Sequence, residues 1–180
     1  MIQGPLLLES SVYRDLRGFF VETFRLDRLR ELGVEDQWVQ DNHSRSRRGV
    51  VRGMHFQVGE GQAKLVRCAR GAVLDVVVDL RRGSPTYAAW ESAELSEDNA
   101  RQLYVPVGFA HGFCVLSEEV DVMYKCSSYY APDLERGIAY DDPDMGIQWP
   151  EGVELVVSER DAAAPRLAEV ADELTFVYEG

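Results

Sequence analysis

Residues 72–80 read AVLDVVVDL. Side chains of a β-strand point alternately to its two faces, and this stretch alternates with that period. Val73, Asp75, Val77 and Asp79 fall on one face, Leu74, Val76, Val78 and Leu80 on the other. Outward from it, short runs rich in Val, Leu, Tyr and Phe recur at 19–24, 50–56, 64–69, 87–95, 102–107, 113–117, 122–130 and 154–157. Gly, Pro, Asp and Ser separate them. Many short strands with turn signals between them predict a β-sandwich or barrel. Helical patterning is confined to 26–32 (LDRLREL), which stops at Gly33, and 165–174 (PRLAEVADEL), which opens on Pro165. The expectation is an all-β fold with small helical additions, one domain over 1–180 with a barrel core at about 40–157.

At 180 residues, 46% hydrophobic and 28% charged, the chain is long enough to bury a core without staples. No apolar run approaches a membrane span. The first residues, MIQGPLLLESSVYRD, are not expected to be a signal peptide, because the apolar stretch Leu6 to Leu8 has no basic start and ends at Glu9. Cys68, Cys114 and Cys126 are odd in number and widely spaced, which predicts neither a disulfide framework nor a zinc site. They read as buried small hydrophobes in a reducing cytoplasm.

A net charge of −12 argues against nucleic acid or an anionic membrane as partner. The charge is unevenly spread. From Ser44 to Arg82 there are nine Lys or Arg and three Asp or Glu. Such a segment is either a solvated face or the lining of a pocket for a small polyanion such as a diphosphate. Of the nineteen basic residues only Lys64 and Lys125 are lysine. In so Arg-rich a chain, a lysine suggests a compact ammonium aimed at one oxygen.

The segment VVRGMHFQ (50–57) contains a phase problem. Strict alternation puts Arg52 and His55 on opposite faces. Gly53 lies between them, and a glycine inside a strand pattern often marks a bulge that would let both face one interior. Histidines are few: His43, His55 and His111. His111 sits in PVGFAHGF, where Gly108 and Gly112 are expected to open space around it. Three dispersed histidines without an H-x-H pair do not resemble a metal-binding barrel. Unaided, the residues describe a β-barrel with an interior polyanion site and a histidine.

Six stretches carry the reading further: DLRGFFVETF (15–24), QDNHSRSRRGVVRGMHFQ (40–57), KLVRCARGAVLDVVVDLRRGSPTY (64–87), QLYVPVGFAHGFCVLS (102–117), YKCSSYYAPDLE (124–135) and SERDAAAP (158–165). In this order and spacing they resemble the dTDP-4-dehydrorhamnose 3,5-epimerase family over nearly the whole chain. The resemblance implies a jelly-roll (cupin-like) barrel, a homodimer that exchanges N-terminal strand pairing, and catalysis without a metal or organic cofactor. It implies a dTDP-4-keto-6-deoxyhexose substrate. It also implies His55 as base, Asp161 holding its imidazole, Lys64 helped by His111 at the oxygen of carbon 4, and Tyr124 as the acid on the other face. Asp75 is expected to support His111. For the nucleotide it implies Arg17, Phe19, Glu22, Gln40, Asp41, Asn42, Arg52, Tyr130, Glu135 and Arg160, some reaching across from a partner subunit. Position 160 is a departure, because the family usually has Lys where this chain has Arg160.

Two rivals accompany this expectation. Relatives in natural-product pathways keep the same His, Asp and Tyr and invert only carbon 3 or only carbon 5. A non-catalytic cupin-like sugar-nucleotide-binding module would explain the barrel and the basic pocket, but not a complete acid–base set.

Overall fold

The computed structural model describes residues 2–180. Its strands in chain order are β1 (Leu6–Glu9), β2 (Val12–Asp15), β3 (Gly18–Val21), β4 (Gln40–Arg47), β5 (Val50–Gln57), β6 (Lys64–Arg70) and β7 (Ala72–Asp79). There follow β8 (Trp90–Ser96), β9 (Arg101–Val105), β10 (Phe109–Val115), β11 (Glu119–Cys126), β12 (Glu135–Gly137) and β13 (Val156–Val157). Three short helices complete the chain: α1 (Leu26–Glu31), α2 (Glu159–Ala162) and α3 (Leu167–Val170).

Two sheets face each other. One has the order β1-β9-β6-β11-β4, the other β12-β5-β10-β7-β8 with β13 added beside β5. The main pairings are antiparallel, β13–β5 being parallel, and strands consecutive in sequence often sit in opposite sheets. This is the all-β jelly roll that the strand spacing and the resemblance led us to expect. No helix among the described residues is long and apolar enough to cross a membrane.

The alternation of β7 explains the layering. Val73 and Val77 join Val66, Leu103, Val105, Phe113, Val120 and Val122 in the core between the sheets. Val76, Val78 and Leu80 turn the other way, into a second core that Leu167, Val170, Leu174 and Phe176 close from outside. Each large apolar side chain so buried contributes about 1.5–3 kcal/mol. The C-terminal segment is therefore pinned to the outer face of the β5–β10–β7–β8 sheet, and this anchoring brings α2 close to β5.

Several expected boundaries move. The strand expected at 122–130 ends at Cys126, because the Ser127 hydroxyl accepts from the Ala63 amide and the chain turns away. The strand expected at 113–117 begins earlier, at Phe109, and runs through Gly112. The helix expected over 165–174 is one short helix and a 3-10 turn; the Glu169 carboxylate accepts from the Arg166 amide at 2.7 Å and starts the helix at Leu167. α1 ends as expected. Gly33, at φ +83°, donates to Arg30, and Val34 donates to Leu29, which satisfies two terminal carbonyls.

Strand β4 (QDNHSRSR) lay outside the expected set. Its inward residues Gln40, Asn42, Ser44 and Ser46 are polar, so the strand carries no apolar face to reveal it. The basic segment also divides. Arg52 and Lys64 point into the space between the sheets, whereas Arg45 pairs with Asp121, Arg70 with Glu119, and Arg81 with Asp79.

Candidate active site

A cavity of about 400 Å³ opens between the two sheets. The six-stranded sheet supplies Arg52 and His55 from β5 and His111 from β10; the facing sheet supplies Lys64 from β6 and Tyr124 from β11. The chain after β13 delivers Asp161. Six residues spread over 110 positions of sequence thus share one space.

The strand β5 is bulged at the expected place. His55 faces His111 and Arg52 faces Phe113, so three residue steps on β5 match two on β10. The extra residue shifts the phase and puts both Arg52 and His55 on the cavity side. Glycines 108 and 112 do not open space around His111. A Cβ on Gly108 would strike Arg81, and one on Gly112 would strike Met54 and the Arg52 carbonyl. Both positions are glycine for the sake of these neighbours.

His55 Nε2 lies 2.7 Å from Asp161 Oδ1. Burial opposes ionisation of Asp161, but the bonds from His55, the Gly53 amide and Ser158 outweigh it and hold the carboxyl below its ordinary range. Asp161 is placed by α2, whose N-cap is Ser158: the Asp161 amide donates to the Ser158 hydroxyl at 3.1 Å. The S-x-x-D pattern of 158–161 is the sequence signal of such a cap, and the expected helices did not include it. Parallel pairing of β13 with Val50 and Val51 carries this cap alongside β5.

His111 Nε2 contacts both oxygens of the fully buried Asp75, at 2.9 and 3.1 Å. Asp75 sits on the inward face that the β7 alternation assigned to it. Across the cavity, Lys64 has no hydrogen bond or ion pair with any described residue. Burial pushes its ammonium below the ordinary lysine value, against the pull of Cys126, Glu135 and Asp75. Burial also pushes the Tyr124 phenol up, reinforced by Cys126 and Glu135 and opposed by Arg52 and Asn42, so it remains protonated at neutral pH. The imidazole that faces a carboxylate and the phenol that keeps its proton stand on opposite sheets. A flat molecule between them would meet a proton acceptor on one side and a donor on the other.

The remaining expected residues fall into three places. Arg52 leans on Ser46, donating from Nε at 2.9 Å, and its Nη2 donates to the Arg45 carbonyl at 3.5 Å. Tyr130, Glu135 and Arg160 form a rim cluster: Tyr130 donates to Glu135 at 2.7 Å and Arg160 pairs with it at 2.6 Å. Burial opposes ionisation of Glu135, and these two bonds overcome it, holding its carboxyl below the usual range. Gln40 and Asn42 line the inner face of β4, where Gln40 donates to Asn42 and accepts from the Tyr130 amide. Asp41 points to the outer face and pairs with Lys125. Arg17 and Phe19 stand on the exposed β2–β3 hairpin, and Glu22 lines a separate groove of about 750 Å³ between that hairpin, β1 and α1. That groove is larger but holds no facing acid–base pair. Ser44, Phe113 and Ser158 line the central cavity without having been singled out in the sequence.

Among the described residues no group of three or more His, Cys, Asp or Glu is arranged to hold a metal ion. Fold and cavity together define a jelly-roll enzyme with acid–base groups set between its two sheets.

The comparisons with known proteins agree. The sequence profile of the dTDP-4-dehydrorhamnose 3,5-epimerase family matches residues 1–169, and the chain belongs to that family. It is therefore an isomerase. The dTDP-4-dehydrorhamnose 3,5-epimerase of Methanothermobacter thermautotrophicus is 49% identical over 162 residues, covering 89% of this chain and 88% of the relative. The structure of dTDP-6-deoxy-D-glucose-3,5-epimerase RmlC from Legionella pneumophila, in complex with dTDP-4-keto-L-rhamnose, superposes with a TM-score of 0.94 at 47% identity, covering 98% and 94% of the two chains. ChmJ, a 3'-monoepimerase from Streptomyces bikiniensis solved with dTDP-quinovose, is similar at 38% identity with a TM-score of 0.90, covering 95% and 87%.

Proposed function

We infer that this enzyme inverts carbons 3 and 5 of dTDP-4-dehydro-6-deoxy-D-glucose, giving dTDP-4-dehydro-L-rhamnose. The observation that carries the reading is the facing pair: His55 held by Asp161 on one sheet, Tyr124 and Lys64 on the other.

A hydrogen next to a ketone is acidic only because its loss gives an enolate, and the gap to an imidazole base is still about ten pKa units at about 1.4 kcal/mol each. His55 takes the proton from carbon 3 or carbon 5, and the electron pair moves to the oxygen of carbon 4. Asp161 steadies the imidazolium that forms. The ammonium of Lys64, without a partner among the described residues, and His111, fixed by Asp75, receive the developing oxyanion, so little reorganisation is needed when the charge appears. Tyr124 returns a proton from the opposite side and inverts the carbon. Solvent then restores the proton on Tyr124 and removes the one on His55.

Arg52, braced by Ser46, suits a diphosphate oxygen, and Tyr130, Glu135, Arg160, Gln40 and Asn42 suit the nucleoside at the rim. Arg17, Phe19 and Glu22 serve the cavity of a neighbouring copy in a homodimer. The exposure of Tyr13, Leu16, Phe19 and Phe20 on the hairpin supports that assignment. The chain works as one domain in the cytoplasm, a reading supported by three free, buried cysteines.

Proton NMR with dTDP-4-keto-6-deoxyglucose in deuterated water tests the function. Exchange at carbons 3 and 5 is expected. Exchange at one carbon makes the enzyme a mono-epimerase, and none at all makes it a binding protein or one specific for another nucleotide sugar.

A further inference from the structure

We propose that Gly53 and Gly112 are positioning residues for the base: their close contact turns His55 into the cavity and brings the Gly53 amide to the far oxygen of Asp161. This rests on reading His55 and Asp161 as the base pair.

Gly53 and Met54 together oppose Gly112 across the β5–β10 pairing. Gly53 has φ +116°, a conformation that a side chain rarely adopts. A Cβ there would stand 2.6 Å from the Gly112 Cα and 2.7 Å from the His111 carbonyl. A Cβ on Gly112 would in turn stand 2.6 Å from Met54 Sδ and 2.8 Å from the Arg52 carbonyl. The two backbones therefore approach more closely than a side chain on either strand permits. Both glycines are needed for the same contact.

The contact has two consequences for the chemistry. The extra residue on β5 brings His55, rather than Met54, to the face shared with His111 and Arg52. It also turns the Gly53 amide outward from the ladder, toward Asp161 Oδ2 at 3.5 Å, a long contact. Asp161 is thus held on Oδ1 by His55 and on Oδ2 by the backbone two residues before it in the same strand. Two contacts from one strand fix both the carboxylate and the plane of the imidazole.

The test substitutes Gly112→Ala, with Gly112→Ala/Met54→Ala relieving the sulfur contact if the single variant folds poorly. Proton exchange at carbons 3 and 5 is followed in deuterated water, dTDP affinity by calorimetry, and the downfield NMR signal of the imidazole proton shared with Asp161. Loss of that signal in His55→Ala identifies it. Exchange should fall roughly a hundredfold, the effect of a misplacement of about 1 Å. dTDP affinity should hold and the downfield signal should broaden or vanish. As a measurement that needs no glycine variant, hydrogen exchange of the Gly53 amide should accelerate in Asp161→Asn. A folded Gly112→Ala enzyme with near-normal exchange and an intact signal overturns the proposal, and so does an unchanged Gly53 amide. If His55→Ala still exchanges protons, the base reading itself is lost and the proposal with it; if His55→Ala is dead and Gly112→Ala is not, the positioning claim alone fails.

Discussion

His55 and Asp161 lie 106 residues apart in sequence, and their side chains meet at 2.7 Å in the cavity. The carboxylate is nearly buried, and His55 keeps about a quarter of its side chain open to the cavity. That difference in exposure suits the roles proposed for them, one group holding and the other reaching the substrate.

Replacing Asp161 by Asn keeps the shape and removes the charge. Proton exchange at both carbons should fall by about 10²–10⁴, the usual worth of a positioned acid–base group. dTDP affinity, measured by calorimetry, should stay within a few-fold of the wild type. A near-normal exchange rate would remove Asp161 from the mechanism.

Tyr124→Phe removes the proposed proton donor and leaves the proposed base untouched. Deuterium should still wash into recovered substrate while inverted product accumulates much more slowly. Equal, near-normal rates for both steps would sink the assignment of Tyr124 as the acid.

Lys64 should show an exchange of stability for function. Burial holds its ammonium below the ordinary lysine value in the folded protein. The charged form therefore weakens the fold at neutral pH, and this penalty disappears as pH rises from the folded to the unfolded pKa. Lys64→Met should abolish turnover and raise the melting temperature, because it removes a buried ammonium that has no ion-pair partner among the described residues. The wild-type enzyme should lose activity on the alkaline side below pH 10.5, the ordinary lysine value, as Lys64 gives up its proton. A Lys64→Met variant that melts lower than wild type would contradict the account.

Ser158→Ala deletes the cap that seats Asp161. The loss of a capping hydroxyl costs about 0.5–2 kcal/mol. Thermal melting should register it, and kcat should drop while KM changes little, because Asp161 loses its seat but the proposed nucleotide-binding residues are untouched. A fall in stability with kcat unchanged would show that the cap serves only the fold.

How much of this was open to reading in the sequence varies from residue to residue. Strand β7 was legible because its β-branched run leaves one face wholly apolar and gathers both aspartates, Asp75 and Asp79, on the other. Strand β4 was not, because its inner residues are all polar and its outer Asp41 and Arg45 form ion pairs, so neither face carries an apolar period. The bulge at Gly53 was suggested by a glycine between two polar residues that strict alternation would put on opposite faces. Asp161 and Tyr124 drew notice only through the resemblance to a family; by themselves they read as a loop acid and a strand aromatic. Asp41 was grouped with Gln40 and Asn42, yet strand alternation turns it to the opposite face.

By itself the sequence determined the strand periodicity, the turns and the six motifs, because these depend on neighbours within a few residues. Only the tertiary structure decided which polar groups meet. His55, Lys64, His111, Tyr124 and Asp161 belong to five separate segments, and their distances follow from how two sheets pack and where the C-terminal segment is pinned. Such contacts arise from long-range burial, which local patterns do not encode. The same burial lowers the Lys64 ammonium and raises the Tyr124 phenol, so the chemistry of the site exists only once the chain has folded around it.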